Sequence, residues 1–412
     1  MPIRILLKLC IISALISKGF STNLRLKTLK SSLRANHGLL RSALRRAEAS
    51  KFMAESEGRR PNPSLNFGLF PRGVETRNGT MKTKVGVTQV LPPPSRLHFK
   101  KQVALGIANI DDLKREKLHQ NLLVRLEKKF FEYKFMFQKR DVLKENFILL
   151  NSWIKLWETH YSHHNFQYQR LIQLQVDARE IEDQIRTVDD SIPVVYQELM
   201  ELTSMEPSQV QKPLFQEKVT DQNLELSLDT NIDLLLIDAT LEKQAFKIEL
   251  EKSFFKPKFK LGTEFTQIDS DRVGSTQGED AWMIRLGMEW VLDKNRVRER
   301  VSSAKRSHEA SLSKRDYEVR NLEVQWKRVS FALDDARKKF QLIKDDLIPR
   351  TREALDSIQA NYITQSKGMD FFSLLGHLRK LLKLSLDMER QYKEYFQARA
   401  AQKRILGNLE EN

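Results

Sequence analysis

Trp282-Met-Ile-Arg-Leu-Gly-Met-Glu-Trp-Val-Leu292 is the stretch that decides the fold. Every second residue is apolar, and the residues between include Arg285 and Glu289. Because side chains point alternately to the two faces of a strand, this period of two predicts one apolar face and one charged face. Part of the stretch, Leu286-Gly-Met-Glu-Trp-Val-Leu-Asp293, has an earlier counterpart in Val85-Gly-Val-Thr-Gln-Val-Leu-Pro92.

A second motif is duplicated in the same order. Pro63-Ser-Leu-Asn-Phe-Gly68 comes before the first copy, and Pro257-Lys-Phe-Lys-Leu-Gly262 comes before the second. Polar residues separate the two motifs of each pair, from Arg72 to Lys82 and from Ile268 to Asp280, and we expect surface loops there. The sequence therefore predicts a duplicated chain with one β-hairpin in each half.

Four strands of about 8 to 12 residues, each with one apolar face, are typical of outer-membrane β-barrels. A soluble sheet that faces a core would show the same alternation. The barrel interpretation predicts a set of lipid-facing side chains: Leu65, Phe67, Val85, Val87, Phe259, Leu261, Trp282, Ile284, Leu286, Met288 and Trp290. Closed bacterial barrels start at about eight strands, so a chain with four must oligomerise to close one.

Long helices are predicted after each hairpin. Neither glycine nor proline occurs from Ile107 to Ile192 or from Met288 to Ile348. Apolar residues recur at steps of three or four in a stripe formed by Leu118, Leu122, Leu126, Phe130, Tyr133 and Phe137. A helix of about 60 to 70 residues would be roughly 90 to 105 Å long, and its stripe must be buried by neighbouring helices along that length.

The first residues predict export. Arg4 and Lys8 precede or flank a short apolar run, and Gly19-Phe-Ser21 has the small-x-small pattern of a signal-peptide cleavage site, so we expect cleavage after Ser21. A buried amphipathic helix is the alternative. The only cysteine, Cys10, lies in that run, so the mature chain would have no thiol for catalysis, metal binding or disulfides.

The formal net charge is +16, but acids accompany the bases along the predicted helices, and few aromatic residues lie in the most basic stretch, 25–60. This pattern favours solvated helix faces over a nucleic-acid surface.

The order of these features resembles the TolC-like outer membrane efflux proteins over residues 30 to 407. Each half has an asparagine-containing helix start, Asn36-His-Gly-Leu-Leu and Asn231-Ile-Asp-Leu-Leu, then a proline-led strand and a long helix. Looser matches follow in both halves: Leu174-Gln-Val-Asp-Ala178, Leu202-Thr-Ser-Met-Glu-Pro207, Met369-Asp-Phe-Phe-Ser-Leu-Leu375, Tyr392, Tyr395 and Leu406-Gly407.

The resemblance implies a mainly α-helical protein with a transmembrane β-barrel. Three chains, each giving four strands, would form one 12-stranded barrel in the bacterial outer membrane, on an α-helical barrel in the periplasm. Family members are passive exit ducts for efflux or type I secretion. The implied partners are two further copies of the chain, a periplasmic adaptor (membrane fusion) protein, an inner-membrane transporter and outer-membrane lipid. No cofactor and no nucleic acid is implied.

The chain divides, on this interpretation, into nine segments. They are the signal peptide (1–21), an N-terminal helical segment (22–60), the first barrel hairpin (61–92), the first periplasmic helical hairpin (93–205), an equatorial linker (206–230), the second-repeat helix (231–256), the second barrel hairpin (257–292), the second periplasmic helical hairpin (293–407) and a tail (408–412).

The pore constriction is expected near the second helix reversal. Family members carry acidic residues there, at positions that correspond to Ser373 and Gly376, so this chain departs from the pattern. Asp370 is a candidate replacement, because three copies would form a carboxylate ring. An ordinary aspartate at a helix N-terminus is the alternative. Phe371 and Phe372 are the other candidates for closing the pore.

The helix reversals are also the expected docking surfaces for a partner protein, with His160, His163, His164, Asn165, Lys367 and Gly368 as candidates. The three histidines share one helix face and are suited to metal binding or pH sensing. A solvent-exposed cluster is the alternative, because no carboxylate completes a ligand set, and no metal site is predicted.

No catalytic motif occurs: the sequence lacks a phosphate-binding loop, a nucleophile elbow and a His-Glu-x-x-His motif. We therefore expect no enzymatic activity. A periplasmic coiled-coil structural protein remains an alternative function, and a helical nucleic-acid binder remains one only if the signal peptide is not cleaved.

Overall fold

The computed structural model describes residues 24–161, 168–206, 210–215, 217–220, 224–269, 278–363 and 371–407. The predicted signal sequence, Met1–Ser21, lies outside these ranges.

Within the described residues the chain is mainly helical. The helices, in chain order, are α1 (Leu26–Asn36), α2 (Gly38–Glu57), α3 (Pro94–Tyr161), α4 (Tyr168–Thr203), α5 (Ile232–Lys252), α6 (Lys294–Leu342), α7 (Ile348–Ile363) and α8 (Phe371–Leu406). The strands are β1 (Leu24–Arg25), β2 (Ser64–Thr76), β3 (Gly79–Leu91), β4 (Pro213–Leu214), β5 (Lys258–Asp269) and β6 (Ala281–Glu289). A 3-10 turn (Ser253–Phe255) follows α5, and a π-helical turn (Ile343–Leu347) connects α6 to α7.

The two predicted hairpins form one sheet. Its four strands are antiparallel in the order β2-β3-β5-β6, so the hairpins meet along β3 and β5. Leu65 pairs with Val87, Val87 with Thr263, and Thr263 with Ile284. This register places matching faces of the two copies on the same side of the sheet.

The first hairpin differs from the prediction of a long loop between Arg72 and Lys82. β2 continues to Thr76, and β3 begins at Gly79 after a tight turn. Gly79 has a φ of +126°, where an added Cβ would lie 2.1 Å from the Asp269 carbonyl oxygen. Glycine alone tolerates that conformation, so polar residues in this stretch mark long strands with a short turn.

The described residues divide into two compact units. The strand unit comprises Arg41–Lys117 and Asn231–Asn321, and the helical unit comprises the described residues up to Leu40, Leu118–Thr230 and those from Leu322 onwards.

In the strand unit, α3 and α5 approach closely at Gly106, where an added Cβ would lie 2.8 Å from the Lys243 Cβ. This close approach leaves no room for a larger side chain, so a glycine occupies this position inside α3.

The helical unit has a continuous apolar core. The predicted stripe on α3 is confirmed, because Leu126, Phe130 and Tyr133 are fully buried. Phe131 stacks on Phe396 of α8 with ring centroids 4.7 Å apart. Neighbouring helices thus bury the apolar stripe that a long single helix would leave exposed to water.

The two asparagine motifs have different structures. Asn231 caps α5, since its side-chain oxygen accepts hydrogen bonds from the backbone N–H groups of Asp233 (3.0 Å) and Leu234 (3.2 Å). The motif Asn36-His-Gly-Leu-Leu contains the start of α2, at Gly38, but Asn36 itself is the last residue of α1, and its side-chain amide donates to the Ser32 hydroxyl. The extended backbone of His37 separates α1 from α2.

Candidate functional site

One face of the sheet is apolar and open. Trp282, Ile284 and Leu286 are 73%, 81% and 76% exposed. The predicted lipid-facing residues within the strands share this face by register and are the following: Leu65, Phe67, Val85, Val87, Phe259, Leu261, Trp282, Ile284, Leu286 and Met288. Trp290 is also exposed but follows the end of β6. A contiguous apolar surface of this kind marks contact with lipid or with another protein.

The opposite face carries paired charges. Glu264 lies 2.6 Å from Lys84 Nζ and 3.0 Å from Arg285 Nη2. Glu289 lies 2.8 Å from Lys258 Nζ and 3.2 Å from Lys260 Nζ. Each carboxylate is thus shared by two cations, and this face keeps a net positive charge.

A long strand forms each edge of the sheet. In the part of the chain that the structure describes, β2 and β6 each pair on one side only. Unpaired edge strands offer backbone N–H and C=O groups to another chain. The sheet is therefore able to extend by pairing with further copies.

The predicted pore residues lie at the start of α8 or just before it. Asp370 lies outside the described residues, and α8 begins at Phe371. Phe372 is exposed, and the Ser373 carbonyl oxygen lies 2.7 Å from Nδ1 of His377. An added Cβ at Gly376 would meet no atom within 4 Å, so this position has open space around it.

The predicted docking residues are largely not described. His160 lies in the last turns of α3, whereas His163, His164, Asn165, Lys367 and Gly368 lie outside the described residues. The metal and pH-sensing hypotheses for the histidines thus stay untested. Within the described ranges, no group of three or more His, Cys, Asp or Glu side chains is placed to hold a metal ion.

An ion pair that the sequence did not predict joins α4 to α8. Arg379 Nε and Nη2 donate to the two carboxylate oxygens of Asp177, at 2.9 and 2.8 Å. Gln173 Nε2 also donates to Asp177, and the Asp177 side chain is buried. The carboxylate raises the pKa of Arg379. The motif Leu174–Ala178 contains Asp177, but only a pairing of the two helices could have revealed its partner.

A second such feature is Lys134 in the core of the helical unit. Its Nζ donates to the Tyr392 hydroxyl at 2.9 Å and to the Phe215 carbonyl oxygen at 3.3 Å. The same ammonium lies 4.1 Å from the Tyr392 ring centroid. Burial lowers the pKa of Lys134 to about 8, while the charge of Glu389 opposes that effect.

Among the described helices, none combines the length and the apolar character needed to cross a membrane.

Comparison with solved structures identifies the fold. The outer membrane protein VceC from Vibrio cholerae matches with a TM-score of 0.76 at 13% identity, over 93% of this chain and 96% of VceC. CusC, studied for transmembrane channel formation, has a TM-score of 0.79 at 13% identity, over 93% of this chain and 92% of CusC. The open outer membrane channel MtrE from Neisseria gonorrhoeae has a TM-score of 0.74 at 14% identity, over 93% of this chain and 89% of MtrE.

No protein-family model matches the sequence, and a search of curated proteins finds no match. The structural matches show that this chain has the fold of TolC-like outer membrane channels.

Proposed function

We propose that the chain is a passive exit duct in the bacterial outer membrane and that it extends into the periplasm. Three copies would each give four strands to one 12-stranded barrel, with an α-helical barrel in the periplasm. A periplasmic adaptor and an inner-membrane transporter would deliver the substrate, in a tripartite efflux or type I secretion system.

The observation that carries this proposal is the sheet. Its apolar face is open along all four strands, its other face is charged, and both edges are unpaired among the described residues. A membrane barrel needs these three properties together: an apolar exterior, a polar lumen and edges that close on other strands. The matching fold of outer membrane channels supports the same conclusion.

Opening would occur where α4 and α8 begin, near the helix reversals. The Asp177–Arg379 ion pair joins these two helices, so separation of the helices requires that this pair break. An adaptor and transporter that engage the reversals would supply the free energy for that separation. Asp370, Phe371, Phe372, Ser373 and Gly376 remain the proposed constriction.

Fractionation of a Gram-negative host that expresses the full chain tests this function. We expect the protein in the outer membrane as a heat-modifiable trimer, and the purified trimer should conduct ions in planar bilayers. A soluble monomer released by osmotic shock would support the periplasmic coiled-coil alternative instead.

A further inference from the structure

A cleft of about 800 Å³ in the strand unit lies beside the end of the sheet where β3 finishes and β5 starts. The end of α2, the start of α3 and the end of α5 line it. Leu97, Leu250 and Phe254 provide an apolar wall. We call this cavity the junction cleft.

Positive charge dominates the junction cleft. Its charged lining consists of Arg59, Arg60, Arg96, Lys100 and Lys258 with one acid, Glu57. Glu57 pairs with Lys100, and Lys258 pairs with Glu289. Across the described ranges, no carboxylate lies within ion-pair distance of the three arginines. The exposed guanidinium groups of Arg59 and Arg60 are therefore available to an anion, and Arg96 adds its positive charge beside them.

Arg96 is held in place before any ligand arrives. Its Nη2 donates to the carbonyl oxygens of Ser253 (3.1 Å) and Lys256 (2.8 Å), and its guanidinium carbon lies 4.6 Å from the centroid of the Phe254 ring. Its Nε is buried and, within the described part of the chain, has no hydrogen-bond partner. An oriented guanidinium group suits carboxylate and phosphate oxygens.

The cleft belongs to the charged side of the sheet. Lys258 and Val90 line it, whereas their strand neighbours Phe259 and Leu91 point to the apolar face. Lys260 and Arg285 continue the positive surface along the same face. An anion in the cleft would therefore lie on the side away from the exposed apolar residues, which favours a water-soluble molecule over a lipid headgroup.

We propose that the junction cleft binds the phosphate or carboxylate groups of a water-soluble anion and that such anions are the class of cargo that the duct conducts. This inference rests on the proposed function, since the charged face lines the lumen only if the apolar face meets lipid. A positive lumen raises the local concentration of anions.

Calorimetry on the full-length trimer in detergent, with pyrophosphate as the probe, tests the site. Arg59→Gln/Arg60→Gln should weaken pyrophosphate binding about tenfold or more, because charge-assisted hydrogen bonds are lost. Arg45→Gln/Lys51→Gln is the matched control: it removes two exposed cations from α2, the helix that precedes Arg59 and Arg60, away from the cleft, and should leave the affinity unchanged. Equal affinities in the wild type and the cleft variant would overturn the site.

Two further measurements distinguish a water-soluble anion from a lipid headgroup. They also distinguish a failure of this inference from a failure of the proposed function. The reversal potential of the wild-type channel in a KCl gradient should show chloride selectivity, which the cleft variant reduces and the control variant retains. A conducting, cation-selective wild-type channel would overturn the cargo class while the duct stands. If short-chain phosphatidylglycerol binds the cleft and pyrophosphate does not, the ligand is a lipid and the inference fails. If no conductance is found, the proposed function fails first.

Discussion

Lys134 shows how a single buried charge makes stability depend on pH. Its folded-state pKa of about 8 lies below the ordinary value of 10.5, because burial disfavours the ammonium. Between these values the unfolded chain binds more protons than the folded chain, so stability rises as pH rises. Burial raises the pKa values of Tyr133 and Tyr392, so their effect has the opposite sign but starts only near pH 10.

We therefore expect the melting temperature of the helical signal to rise from pH 8 to pH 10 in the wild type. The free energy of unfolding should increase by about 1 to 2 kcal/mol over this range, since partial exposure of Lys134 screens its charge. Lys134→Met keeps a chain of similar length against Phe215 and should flatten this rise. Lys128→Met, at an exposed lysine of the same helix, should retain it. Circular dichroism melts in detergent measure both, and a rise that persists in Lys134→Met would contradict the assignment.

The Asp177–Arg379 pair predicts a change in channel opening. Asp177→Asn removes the shared charge and should weaken the link between α4 and α8 by about 1 to 2 kcal/mol, because Arg379 is partly exposed. Single-channel recordings should then show higher conductance or more frequent opening. Glu182→Gln is the control, because it removes a carboxylate whose partner, Arg179, lies on the same helix. An equal increase in both variants would exclude a specific link.

The π-helical turn keeps one buried stripe continuous between α6 and α7. Ile343 and Ile348 are both buried although they are five positions apart, and the burial continues at Thr351 and Leu355. In an α-helix a five-residue step would turn the second side chain by about 140° away from the first. The wider π turn absorbs the extra residue.

Deletion of Lys344 should therefore be tolerated, since it leaves Ile348 four residues after Ile343 in an ordinary α-helix. Deletion of Glu353, in α7, has no such turn to absorb it and should rotate Leu355 and Ile358 out of the core, at a cost of about 2 to 5 kcal/mol. Thermal melts of the two deletion variants distinguish these outcomes. Equal losses of stability would show that the π turn does not absorb the shift.

The sequence predicted elements whose pattern lies within the element itself. The alternation around Trp282 and the stripe around Phe130 each identify a face, because periodicity is local. The turn at Gly79 and the passage of α3 through Gly106 depend on a neighbouring backbone, which the pattern does not record. The Asp177–Arg379 pair and the junction cleft depend on residues from different parts of the chain, so no local pattern could reveal them.

At the scale of the whole molecule, the two faces of the sheet predict opposite responses at adjacent residues. Ile284 belongs to the apolar face, whereas Met283 pairs with Glu264 on the charged face. If residue 284 faces lipid, Ile284→Lys should lower the stability of the barrel by about 2 to 4 kcal/mol. The amount of heat-modifiable trimer in the outer membrane should then fall. Met283→Lys places an ammonium group near the Glu264 carboxylate, so this variant should still assemble into trimers. Normal assembly of both variants would argue against a lipid-facing surface.

The short parallel pair of β1 and β4 sets an order of events during folding. Leu24 donates its backbone N–H to the Lys212 carbonyl oxygen, and its neighbour Arg25 pairs with Leu214. During synthesis from the N-terminus, Leu24 can therefore pair only after just over half of the 412 residues have been made. Contacts between such distant residues slow folding, because a long loop must close first. Leu24 and Arg25 therefore stay without their strand partners while the chain through α4 is synthesised, and they are exposed to chaperones over that interval.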